Sequence, residues 1–94
     1  MDVVESKNGV PIRLTEERWI HITEEHSEMA GYYFEVLETV DEPEAIYEGK
    51  MGECIAVREI VVYRELSKED GSIITAFLTR RRKQLERRRK IWQK

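Results

Sequence analysis

The sequence is poor in the residues that bind metals or close disulfides. Among 94 residues there is one cysteine, Cys54, and there are two histidines, His21 and His26. A single cysteine cannot form an internal disulfide, so a reducing, cytoplasmic setting is the default expectation. No apolar run reaches the length of a bilayer-spanning helix, so no membrane partner is expected. The opening residues, MDVVESKNG, are acidic and polar, without the basic start and apolar stretch of a secretion signal. There are only two prolines and five glycines, no repeat and no low-complexity linker, so residues 1–94 are expected to form one domain.

What is present is apolar patterning and an uneven charge. Forty per cent of the residues are hydrophobic and 37% charged, a composition able to build one small core. The net charge of −3 conceals a split. Residues 80–94 carry nine basic side chains against one acid, Glu86, a local charge of +8, which leaves −11 on the remainder. A basic segment of that density suggests an anionic partner: nucleic acid, another protein, or the chain's own acidic body.

The element order follows from periodicity. In VVESKNGVPIRL two short alternating pieces flank Asn8-Gly9, a hairpin signal. Pro11 restricts its strand to a sheet edge. Thr15 stands as an N-cap with Glu16 and Glu17 behind it, predicting a helix over Glu16–Glu25. Ser27 is positioned to cap a second helix, along which Met29, Tyr33, Val36, Leu37 and Val40 recur at helical spacing. Asp41-Glu42-Pro43 ends it. Four β-branched or aromatic runs follow: 45–47, 53–57, 60–66 and 72–78. The connection at Arg58-Glu59 has no Gly, Asn or Asp, so it reads either as one long strand or as a reversal from which residues are missing. Residues 79–94 read as a basic helix with a thin seam of Leu78, Leu85 and Trp92. The expected fold is α+β: one or two N-terminal helices packed on a curved antiparallel sheet, with a basic C-terminal helix.

The segment RWIHITEEHSEM holds both histidines. A helical zinc site needs histidines four apart on one face, whereas His21 and His26 are five apart, roughly 140° around the axis. No metal ligand set and no cofactor are therefore expected. Trp19, Ile22 and His26 form a core stripe, which makes His26 a residue at the border of the core. His21 points elsewhere, towards Glu24 and Glu25. Imidazole is also the side chain best suited to exchange protons near neutral pH, so either histidine is a candidate general acid or base. Alternation over 72–79 puts Ile73, Thr75, Phe77 and Thr79 on one face and Ser72, Ile74, Ala76 and Leu78 on the other.

Three passages, PIRLTEERWIHITEEHSEM, YYFEVLETVDEPEAIYEG and VVYRELSKEDGSIITAFLTRR, resemble the phage and bacterial nuclease-like domains grouped with barnase, EndoU, the colicin ribonucleases and the RelE toxins. BrnT-type toxins share a related layout. The resemblance covers Pro11 to about Arg82. It implies a metal-independent ribonuclease of toxin type. It implies His21 and His26 as acid–base residues and Thr75 as the hydroxyl facing the cleft. Glu28 would orient a histidine or cap the next helix. Arg58, Arg64, Arg80 and Arg81 would contact phosphate. The passage IAVREIVVYREL is shorter than the hairpin expected there, which bears on Arg58. The implied partners are RNA, an antitoxin protein or a second copy. The alternative is a non-catalytic interaction module of the same fold, acting through its basic C-terminal segment.

Overall fold

The structure, a computed structural model, describes residues 1–79 and 82–94. Its strands are β1 (Asp2–Glu5), β2 (Pro11–Leu14), β3 (Ala45–Glu48), β4 (Cys54–Val57), β5 (Ile60–Glu65), β6 (Gly71–Phe77) and β7 (Lys90–Gln93). The helices are α1 (Glu16–Glu25), α2 (Tyr33–Asp41) and a single turn, α3 (Lys83–Glu86). The strands form one sheet in the order β1-β2-β6-β5-β4-β3-β7. Every ladder is antiparallel except β2–β6, so the sheet is mixed rather than purely antiparallel.

Local chemistry explains most boundaries. The Thr15 hydroxyl accepts from the Arg18 N–H at 3.1 Å and opens α1 where the sequence puts a cap. The expected continuous second helix is instead broken. Ser27–Met29 makes one 3₁₀ turn, Gly31 takes φ +90°, and α2 starts only at Tyr33. A positive φ at Gly31 cannot be accommodated in a right-handed helix. Arg58 and Glu59 alone connect β4 to β5, and neither has a positive φ, so the chain reverses without the usual primed turn. Pro11 sits in an inner strand, yet the parallel ladder to β6 joins only Ile12 and Arg13 to Gly71 and Ser72, which leaves Pro11 outside it.

The sheet has two apolar faces. On the helix side, Ile22, Met29, Val36 and Val40 pack onto Ile12, Leu14, Ile46, Ala56, Val61, Tyr63, Ile73 and Ala76. On the outer side a smaller cluster joins Ala45, Tyr47, Ile55, Val57 and Ile60, with Val62, Phe77 and Leu85 against it. The Lys7 ammonium lies 5.4 Å over the Trp92 ring, bringing the β1–β2 loop to the strand at the other end of the order, so the sheet curls strongly.

Two expectations fail here. The described part of residues 79–94 is not a basic helix: α3 is one turn, and the chain then adds β7 as an edge strand on β3. Leu85 packs on the outer cluster and Trp92 on the helix-side cluster, so the seven-residue spacing marks opposite faces of a sheet, not a seam. In β6 the simple alternation is broken by a bulge. Val62 faces Thr75 but Tyr63 faces Ile73, so Ile74 is the extra residue and Ile73 turns to the helix side.

Candidate functional site

The outer face is a grid fixed by register. Phe77, Ile60, Val57 and Ala45 follow one another across β6, β5, β4 and β3, and beside them run Thr75, Val62, Ile55 and Tyr47. Arg64 occupies the next outward position on β5, opposite Ser72. Over this floor lies the basic segment, with Leu85 dividing two hollows. One, of about 230 Å³, is floored by Ile55, Val62 and Phe77 and edged by Thr79, Gln84 and Arg88. The other is edged by Tyr47, Arg82, Glu86 and Lys90. The segment is fastened at both ends. Arg82 Nη2 donates to the Arg58 carbonyl at 2.6 Å, and its Nη1 lies 3.5 Å from Glu44. Further on, the Glu48 N–H donates to the Arg89 carbonyl at 2.9 Å.

The two histidines part company. His21 is on the exposed side of α1, its side chain 60% accessible and 3.8 Å from Glu25. It edges a shallow hollow with Thr15, Glu17 and Arg18. His26 closes α1 and is half-buried, its ring centroid 5.6 Å from that of Phe77. It therefore stands at the border of the outer-face groove rather than against Trp19, which packs edge-on to Tyr33 at 5.2 Å. His26 Nδ1 lies 3.7 Å from Glu28 Oε2, so Glu28 is placed to orient the ring. Among the described residues, Thr75 Oγ1 is buried without a hydrogen-bond partner.

The arginines are dispersed. Arg64 donates to the Met51 carbonyl at 3.1 Å and lies 3.9 Å from Glu53, turned towards the β3–β4 loop. Arg58 stands at the β4–β5 turn, 4.0 Å from Glu38 on the helix side. Arg80 and Arg81 lie outside the described residues. The outer face thus carries Thr75, the outward position of Arg64 and, through its contact with Phe77, His26, and it leaves out His21 and Arg58. It also brings in Arg88, Gln84 and Phe77, which sequence reasoning missed. Arg88 was hidden in a run of arginines, and only the fold of residues 82–93 selects it.

Two buried groups behind the sheet are perturbed. Burial pushes the Cys54 thiol up, and burial together with Cys54 and Glu65 pushes the Tyr63 phenol up. They face each other across β4 and β5 on the helix side, away from the groove. Set beside known proteins, the chain matches no family model, no curated protein and no solved structure.

Proposed function

We propose that the protein is a small endoribonuclease that cleaves single-stranded RNA in the outer-face groove by attack of the ribose 2′-hydroxyl. The observation that carries this reading is the placement of His26 against Phe77, which floors the hollow edged by Gln84 and Arg88 of the basic segment. A base meets the apolar floor, and Arg88 meets the phosphate. With Glu28 on Nδ1, His26 Nε2 takes the 2′-hydroxyl proton as the O2′–P bond forms and the P–O5′ bond breaks. Water in the open groove protonates the leaving 5′-oxygen, giving 2′,3′-cyclic phosphate and 5′-hydroxyl ends. Thr75 supports the floor beside Phe77 with its hydroxyl buried, so it does not touch the RNA. His21, implied by the resemblance as the second catalytic histidine, has no part in this arrangement.

The test is cleavage of a mixed RNA pool in EDTA. Wild type is expected to leave cyclic phosphate ends, His26→Ala to lose about a hundredfold or more, and Arg88→Ala about tenfold. His21→Ala is expected to cleave like wild type. Equal loss in the two histidine variants, with both folded, contradicts the assignment. A second reading, RNA binding without cleavage, is favoured by the separation of His21, which leaves the groove one imidazole. It predicts that all these proteins bind RNA and none cleaves it.

A further inference from the structure

We infer that the groove between β1 and α2 is a docking site for an extended, basic and apolar segment of a partner protein, which adds to the sheet as a strand beside β1. β1 ends the strand order and pairs with β2 alone. The Ser6 N–H donates to the Val10 carbonyl at 2.9 Å, so Ser6 and Val10 form a hydrogen-bonded pair. By alternation Val4–Ile12 and Asp2–Leu14 are such pairs, and Val3 and Glu5 turn their N–H and C=O groups away from β2. Glu5 faces Pro11, which has no N–H to give, in agreement with that phase. The edge therefore presents donors and acceptors to an incoming backbone. The other wall is a stripe of α2 at helical spacing: Phe34, Leu37, Glu38 and Asp41. Strand edge and helix enclose a groove of about 340 Å³, the arrangement in which β-augmentation binds peptides.

The lining selects the occupant. Val3 is 56% and Phe34 71% exposed, a high value for an aromatic ring. The charged lining is all acidic: Asp2, Glu38 and Asp41. A second β1 would carry its own Asp2 and Glu5 to a groove whose charged lining is already acidic, which like-charge repulsion disfavours. The chain's other edge, β7, is bulged, and its Lys90 is held over Tyr47 and against Gln93, features that protect an edge from pairing. A foreign strand alternating Lys or Arg with apolar residues fits both the backbone groups and the charge.

The experiment is fluorescence anisotropy of a labelled peptide alternating Lys and Val, against its Glu and Val counterpart, with sedimentation of the free protein. The Lys peptide is expected to bind wild type and the Glu peptide not. Val3→Pro removes one outward N–H while leaving the β1–β2 ladder and the charge intact, and it is expected to weaken binding at least about fivefold. Phe34→Lys, on an exposed helical position, is expected to weaken it as well. Failure of the Lys peptide to bind, equal binding of the Glu peptide, or wild-type affinity in both variants overturns the proposal. So does self-association of wild type that Val3→Pro abolishes, which assigns the edge to a second copy.

Discussion

Single residues carry opposing demands in this sheet. Thr75 is the clearest case. A buried hydroxyl without a partner costs stability, and Val has nearly the same shape without the polar atom. Thr75→Val is therefore expected to be neutral or stabilising by about 1 kcal/mol in urea denaturation. A loss of more than about 1 kcal/mol would mean that the hydroxyl is satisfied. Tyr33 supplies a pH test. Its hydroxyl donates to Asp2 at 2.6 Å, and that bond, with burial and the charges of Asp2 and Glu16, raises its pKa from 10.0 to about 12. The raised value favours the neutral phenol in the folded state. Its contribution is complete below the unfolded value of 10.0 and is lost as pH rises through about 12. Stability is expected to fall between those pH values, and Tyr33→Phe to flatten that fall, as read by denaturation midpoints across the range.

Elements differ in how openly the sequence declares them. α1 is legible because its cap, its acidic first turn and its Trp19–Ile22–His26 stripe all act locally. The strands of residues 45–77 are legible for the same reason, through β-branched runs between turn residues. The C-terminal segment misleads because its arginines suit a helix, while what fixes it is distant: pairing of β7 with β3 and the contact of Leu85 with the outer cluster. The bulge at Ile74 is equally silent in the sequence, and it decides which face Ile73 joins. As for the site, Thr75 and His26 were visible as candidates, and so was the angle between His26 and His21, but only the fold sets His26 against Phe77. Gly71 marks the point where β6 pairs with Ile12 of β2 on one side and Glu65 of β5 on the other. A Cβ there would lie 2.7 Å from the Arg64 carbonyl oxygen and 2.5 Å from the Ile12 side chain. Gly71→Ala is expected to destabilise by about 2 kcal/mol or more, measured by thermal or chemical melting, because the backbone of the neighbouring strand cannot give way.

At the scale of the whole molecule the curled sheet is closed by small contacts at its ends. β7 is anchored by Trp92, which packs on the helix-side core and lies beneath Lys7. Trp92→Ala is expected to cost about 2–4 kcal/mol, and the release of β7 to loosen the basic segment over the outer face. The charge split acquires a spatial meaning from this arrangement. The +8 of residues 80–94 is not a free arm, because its described part is folded onto the sheet beside Phe77 and Tyr47. No described helix is long and apolar enough to cross a membrane.

The central claim is that RNA meets the outer face at the His26 border and not the exposed side of α1. The most direct measurement is a nuclear magnetic resonance titration of the labelled protein with a short single-stranded RNA whose 2′-hydroxyls are methylated, so that it binds without being cut. The account predicts that amide and side-chain signals of His26, Thr75, Phe77 and Arg88 shift together as RNA is added, while those of His21 and Arg18 stay in place. Shifts centred on His21 and Arg18, with the outer face unmoved, would contradict it.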